Sequence, residues 1–267
     1  MQSTASPTAS GPGFRCEQVR FSSPSLRAGT VPLRFAHLSD LHLRRLDGRY
    51  ERLWAELAAR ELDFIFLTGD FASRCPSTWR LLDRFLSRLS CRYGVFACRG
   101  NWEIKHDAPR AATLRELFRK AGARMLINES AEVPTASGLV RVAGVDDVVR
   151  GWPDFRAAFA REGGSAFTLL LAHAPLAVRF VPPGARVDLT LSGHTHGGQV
   201  RIPLLWRMFL PECSGGFRDG LYELGETRLY VSRGFGSVGP VPVRFRCPAE
   251  VTLFEVGPAA SAASEGA

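Results

Sequence analysis

Leu33-Arg34-Phe35-Ala36-His37-Leu38-Ser39-Asp40-Leu41-His42 is an apolar run that ends on a carboxylate and an imidazole. Its first six residues predict a buried strand, and the polar pair lies just past the carboxyl end. In extended chain, residues two apart face the same side, so Asp40 and His42 can converge on one point. His37 has the opposite parity to Asp40 and reads as structural. Working outward, Phe64 to Thr68 and Gly94 to Cys98 predict two more strands. Between and after them, Glu51–Glu61, Thr78–Leu89 and Thr113–Ala121 have helical periodicity. The first helix carries Leu53, Trp54, Leu57 and Ala58 on one face; the second carries Trp79, Leu82, Phe85, Leu86 and Leu89. The second half is richer in strands: Leu139–Ala143, Thr168–Leu171, Val187–Leu191, Val200–Ile202, Leu221–Leu224, Leu229–Val231 and Val251–Val256. A β-α-β-α-β half followed by a strand-rich half fits two sheets packed face to face with helices outside.

The strand-end motif recurs. Gly69-Asp70 follows the second strand, and Arg99-Gly100-Asn101-Trp102-Glu103 follows the third. Ala172-His173 and Ser192-Gly193-His194-Thr195-His196-Gly197-Gly198-Gln199 follow two strands of the second half. A Gly-Asp pair alone reads as a turn, and a histidine after one strand reads as a hydrogen-bonded structural residue. Five such pieces in one order are a different matter, because the crevice beyond the carboxyl ends of strands is where open α/β sheets bind ligands. Four of the six histidines fall within them.

Asp40, His42, Asp70, Asn101, His173, His194 and His196 offer carboxylate, imidazole and amide oxygen, and no thiolate. That set suits Mn²⁺, Fe or Zn²⁺ and argues against a structural zinc site. Seven ligands are too many for one catalytic ion with an open position. Two ions about 3.5–4 Å apart, sharing a carboxylate, fit better. Two divalent ions against two aspartates leave positive charge to attract a phosphate and hold a hydroxide.

The ordered set Asp40-x-His42, Gly69-Asp70, Gly100-Asn101, His173 and Gly193-His194-x-His196 resembles the calcineurin-like metallophosphoesterases. Gly193 to Pro203, Tyr230 to Gly236 and Pro242 to Phe245 are similar to the bacterial YaeI/YkuE-like branch. The resemblance runs from Leu33 to the last strand. It implies a four-layer αββα sandwich of two mixed sheets and hydrolysis of a phosphodiester or pyrophosphate, on a lipid-linked or nucleotide-linked substrate. It also implies that Asp40, His42 and His196 hold the first metal, that Asn101, His173 and His194 hold the second, and that Asp70 bridges. The family usually has histidine where this chain has Trp102. Indole donates a hydrogen bond and cannot supply a proton at neutral pH. Either the metals suffice, or His106 substitutes as catalytic acid, or activity is lost; the intact ligand set argues against the last. Two other readings stand beside the phosphodiesterase: a general phosphomonoesterase or protein phosphatase, and a non-catalytic metal-binding scaffold.

The remaining composition bounds the setting. The chain has 267 residues, net charge +8 and only two lysines, Lys105 and Lys120, so its positive charge is nearly all arginine. Arginine suits phosphate, anionic lipid or nucleic acid, but no recognition helix or RNA-binding aromatic pair is evident. The partner expected is therefore a phosphorylated small molecule or lipid, without specific nucleic-acid binding. Residues 1–13 and 258–267 read as disordered polar tails around one domain over 14–257. The opening residues lack a basic and apolar leader pattern, and six scattered cysteines form no framework. Either the true start lies elsewhere or the protein is cytoplasmic, and the cysteine pattern, which predicts reduced thiols, fits the cytoplasm. Asp146 and Asp147 read as a turn or a substrate contact, and Arg201 and Arg233 as phosphate ligands or salt-bridge partners. Ile202 to Pro211 is apolar and too short to span a bilayer. It reads as a core segment or as an exposed lip, formed by Leu204, Leu205, Trp206, Met208 and Phe209, that touches acyl chains or membrane.

Overall fold

A computed structural model of the chain describes residues 4–11, 13–72, 76–104, 111–160, 166–202, 210–239 and 243–259. The first sheet is built on β3 (Leu33–Leu38), β4 (Phe64–Thr68), β5 (Gly94–Cys98) and β6 (Ala123–Met125), all parallel. It is extended by β13 (Glu250–Pro258), β2 (Phe14–Ser23) and β1 (Thr4–Gly11), in the order β1-β2-β13-β3-β4-β5-β6. The second sheet has the order β11-β12-β10-β9-β8-β7. Its strands are β7 (Glu129–Thr135), β8 (Gly138–Gly144), β9 (Phe167–Leu171), β10 (Leu189–Ser192), β11 (Gly220–Leu224) and β12 (Thr227–Val231). Its centre, β8-β9-β10-β12, is parallel, and β7 and β11 are antiparallel edges.

Side-chain alternation makes the layers. On β3 and β4, Phe35, Phe64 and Phe66 point to the second sheet and meet Val140, Val142, Leu169, Leu171, Leu189 and Leu191 in one buried cluster. Ala36, Leu38, Ile65 and Leu67 point the other way, onto α1 (Gly48–Ala58), α2 (Pro76–Leu86) and α3 (Ala111–Lys120). The outer face of the second sheet packs Ala143, Leu170 and Ala172 against Phe155 and Ala158 of the short α4 (Phe155–Ala158) and against Ala177. The result is the expected four-layer αββα sandwich, with a thin second helical layer.

Several boundaries differ from expectation. Helix α1 starts at Gly48 because Asp47 caps it, accepting from the Arg49 N–H, so Tyr50 joins Leu53, Trp54 and Leu57 in the core while Ala58 is exposed. Val200–Ile202 forms one bridge to Phe245 rather than a strand, since left-handed backbone at Gly197, Gly198 and Gln199 prevents extension into it. Residues 4–11, expected as tail, pair antiparallel with β2, and β13 runs to Pro258, with Ala259 bonded to Ser23. Main-chain pairing does not need an apolar side-chain pattern, which is why composition misses it. Residues 260–267 lie outside the described residues, as does the apolar stretch 203–209 that holds all five lip side chains. No helix among the described residues is long and apolar enough to cross a membrane. The described cysteines, Cys16, Cys91, Cys98, Cys213 and Cys247, are thiols.

Candidate metal centre

Five of the seven candidate ligands have left-handed backbone: Asp40 (φ 51°), His42 (39°), Asp70 (54°), His194 (68°) and His196 (50°). Such conformations cost about 1–3 kcal/mol each in residues with a Cβ and persist where the surroundings enforce them. The enforcement is visible. The Asp40 and His42 N–H groups donate to the Gly69 and Asp70 carbonyls, and Gly236 N–H donates to the Asp40 carbonyl at 2.6 Å. Across the other sheet, Gly193 N–H donates to the His173 carbonyl at 2.9 Å. Close approach is required too: a Cβ on Gly193 would lie 1.9 Å from Ser39 Oγ and 2.2 Å from Asp40 Oδ2.

The strand ends of both sheets deliver their side chains to one buried cluster. His196 Nε2 lies 3.3 Å from Asp40 Oδ1 and 3.2 Å from His42 Nε2. Asp70 Oδ2 lies 3.5 Å from His42 Nε2 and 3.4 Å from His173 Nε2. His173 Nε2 is 3.1 Å from Asn101 Oδ1 and 3.2 Å from His194 Nδ1. Asp40, His42 and His196 could hold one ion, and Asp40, Asp70 and His173 form a second such group. Asp70 thus sits between the two imidazole sets, and Asp40 reaches both.

Tautomers follow from the outer contacts. His173 Nδ1 lies 2.8 Å from the Thr68 carbonyl and His194 Nε2 lies 2.9 Å from the Glu212 carbonyl. Each carbonyl accepts a ring N–H, which leaves His173 Nε2 and His194 Nδ1 facing the cluster, each able to offer a lone pair to an ion when it carries no proton. Burial, helped by His42 and Arg244, pushes the His196 pKa well down and keeps that ring neutral. Burial raises the Asp40 pKa to about 6. For Asp70, burial is outweighed by His173 and His42, which pull the carboxyl down. Burial opposes a proton on His173 as well, but Asp70, Asp40 and Asp147 raise its pKa well above the ordinary value.

The fit to divalent metal rests on this charge pattern. Asp40 and Asp70 are fully buried, and among the described residues their partners at ion-pairing distance are imidazoles. Two buried carboxylates need cationic compensation, which divalent ions bound among them would supply.

Trp102 takes its place beside the cluster. Its main-chain N–H donates to Asp70 Oδ1 at 2.9 Å, and its ring stands edge-on to His42 at 4.8 Å. His106 lies outside the described residues. Asp146 is engaged by Arg99 through two contacts, at 2.9 and 2.5 Å, and Asp147 Oδ2 accepts the N–H groups of Val149 and Arg150 in the turn that follows β8. Arg201 pairs with Asp219 at 2.7 Å, and Arg233 with Glu17 and Glu250.

Two positioning residues stood in the sequence reading as motif members without an assigned role. Buried Glu103 accepts the N–H groups of Gly100 (2.8 Å), Asp70 (2.7 Å) and Phe71 (2.9 Å), clamping the loops after β4 and β5 together. Its only sequence signal was its place two residues after Asn101. The Arg244 guanidinium donates to the carbonyls of Arg233, Gly234 and Gly236 and lies 3.4 Å from His196 Nδ1.

Two facing mixed sheets with a buried, carboxylate–imidazole cluster at their strand ends define a metal-dependent phosphoesterase. Residues 33–198 match the calcineurin-like phosphoesterase family, and the chain belongs to it. It is 31% identical over 196 residues to the uncharacterized metallophosphoesterase YkuE of Bacillus subtilis, covering 72% of this chain and 67% of YkuE. It is 29% identical over 274 residues to the phosphodiesterase YaeI of Escherichia coli, covering 96% and 97% of the two chains. The 5'-nucleotidase precursor of Thermus thermophilus shares the fold, with TM-score 0.51 and 14% identity over 84% of this chain and 55% of that one.

Proposed function

We propose that the chain hydrolyses a phosphodiester or pyrophosphate bond with two divalent cations, Mn²⁺ foremost, with Fe or Zn²⁺ as compatible alternatives. Asp40, His42 and His196 would hold one ion, Asn101, His173 and His194 the other, with Asp70 shared between them. The observation that carries this reading is Asp70 lying within 3.5 Å of imidazoles from both sets. At such a site divalent metal would supply a water of lowered pKa and positive charge to offset that on the attacking and leaving oxygens. The protein's own groups hold the arrangement. Glu103 and the Trp102 N–H fix Asp70, the Thr68 carbonyl orients His173, and the Glu212 carbonyl orients His194. A mainly apolar cavity of about 400 Å³ adjoins the cluster, lined by Trp102, Val200, Pro211 and Val238 as well as Asp70 and His194. A second ester substituent fills such a space and a monoester has none, which favours a diester with an apolar arm, on a lipid-linked or nucleotide-diphosphate-linked substrate. The +8 charge suits peripheral contact with anionic lipid from the cytoplasmic side.

The test is metal-stripped protein reloaded with Mn²⁺ and offered bis(4-nitrophenyl) phosphate beside 4-nitrophenyl phosphate. The diester should turn over faster, Asp70→Asn should lower the rate about 100-fold or more, and Trp102→His should leave it equal or raise it. A preference for the monoester would favour the general phosphatase, and bound metal without turnover of either ester would favour the scaffold. His106→Ala, if silent at every pH, removes His106 as the substitute acid.

A further inference from the structure

A second cavity, of about 460 Å³, opens at His42 and shares no lining residue with the apolar one. Its character is opposite. Arg44, Arg45 and Arg49 line it against a single carboxylate, Asp47. That carboxylate is committed: Oδ1 caps helix α1 through the Arg49 N–H at 3.1 Å, and Oδ2 meets Arg45 at 3.1 Å. Arg49 is pinned as a floor, its guanidinium 4.6 Å from the Phe235 ring and donating to the Phe235 carbonyl. Arg44 is exposed and meets no carboxylate among the described residues. Among the described residues it donates, at a long 3.4 Å, to the carbonyl of Gly239, a residue that lines the apolar cavity.

Four largely buried arginines elsewhere differ: Arg99, Arg141, Arg201 and Arg233 are each matched to an acid at close range. Three arginines and one carboxylate within six residues, beginning two residues after candidate ligand His42, leave net positive charge on a cavity that His42 also lines. Such a cluster is stabilised by an anion, and planar guanidinium groups suit phosphate oxygens.

We propose that Arg44 and Arg45, over the Arg49 floor, form a subsite for a second phosphate of the substrate. This rests on the phosphodiester or pyrophosphate reading and sharpens it. The preferred substrate is then a disubstituted pyrophosphate, one phosphorus at the metal cluster, the other at the arginines, and an apolar substituent in the Trp102 cavity. Nucleoside-diphosphate esters and lipid diphosphate esters share that chemistry.

The experiment compares wild type with Arg44→Ala/Arg45→Ala at fixed free Mn²⁺. It uses three substrates: bis(4-nitrophenyl) phosphate, ADP-ribose as the nucleoside arm, and an isoprenyl diphosphate ester as the lipid arm. For at least one pyrophosphate, the ratio of its kcat/KM to that of the simple diester should fall about tenfold or more. Whichever arm shows the fall identifies the source of the second phosphate. Added inorganic pyrophosphate should likewise inhibit wild-type diester hydrolysis more strongly than the variant's. Equal losses on all three substrates, or unchanged inhibition and unchanged ratios, would overturn the subsite. Failure of the wider phosphodiesterase reading is distinguishable, because wild type would then turn over none of the three; pyrophosphate binding, followed by the thermal midpoint, would still report on the arginines.

Discussion

Asp40, His42, Asp70, His194 and His196 carry the centre in backbone conformations that most residues avoid. Their neighbours must therefore be small where the chains approach. Gly193→Ala tests this. Its Cβ would collide with Ser39 Oγ and Asp40 Oδ2, so the β3 loop or the β10 loop must move. We expect a loss of tight Mn²⁺ binding in titration calorimetry, with the far-ultraviolet circular dichroism spectrum retained. Undisturbed affinity would show that the loops are softer than the contact distances imply. His37 makes a prediction of another kind. It is fully buried, with Nε2 2.7 Å from Thr68 Oγ1, and burial lowers its pKa to about 3. In the unfolded chain a histidine titrates near 6.5. Below that value the unfolded state binds a proton that the folded state refuses, so stability falls as pH drops from about 6.5 toward 3, by up to about 1.4 kcal/mol per pH unit. His37→Gln should make that slope shallower in urea unfolding series at stepped pH; an unchanged slope would sink the assignment.

Between elements, a buried polar network ties the two sheets at the same end as the metal cluster. Arg233, just after β12, meets Glu250 at the start of β13 at 2.5 Å and also meets Glu17 of β2. Glu250 in turn accepts from the Tyr230 hydroxyl on β12 at 3.0 Å. Arg233→Met would strand two largely buried carboxylates, and loss of one partner of a buried pair costs about 3–5 kcal/mol. The expected result is a lower denaturant midpoint, partly restored when Glu250→Gln is added. A midpoint within error of wild type would mean that the carboxylates find solvent.

For the whole molecule, the metal cluster is a seam. β3, β4 and β5 supply Asp40, His42, Asp70 and Asn101 from the first sheet; β9 and β10 supply His173, His194 and His196 from the second. Ions held by these residues, as proposed, would join the sheets, so that binding would be linked to folding. At a hundredfold excess over Kd, each site adds about 2.7 kcal/mol, and for a chain of this size each kcal/mol moves Tm by roughly 2–4 °C. Chelation should therefore lower Tm by roughly 5 °C or more per site, and reloading should restore it. A Tm indifferent to chelator, in protein shown by elemental analysis to have held metal, would separate the cluster from the fold.

By itself, the sequence determined the parallel strands β3, β4 and β5 to the residue, the helices that cover them, and the seven polar groups at strand ends. Those signals are local: an apolar run is buried because of its own composition, and the residue after it stands at the strand's end. What the tertiary structure alone decided was everything that depends on remote partners. β2 and β7 were missed because their apolar alternation is broken; neighbouring strands hold them through main-chain hydrogen bonds. Glu103 shows its role only when Asp70, 33 residues earlier, folds onto its carboxylate. Arg201 and Arg233 read equally as phosphate ligands or salt-bridge partners until Asp219, Glu17 and Glu250 close on them, while Arg44 meets no carboxylate among the described residues. Charge and shape in a site are sums over groups far apart in sequence, and only the packed sheets bring those groups together.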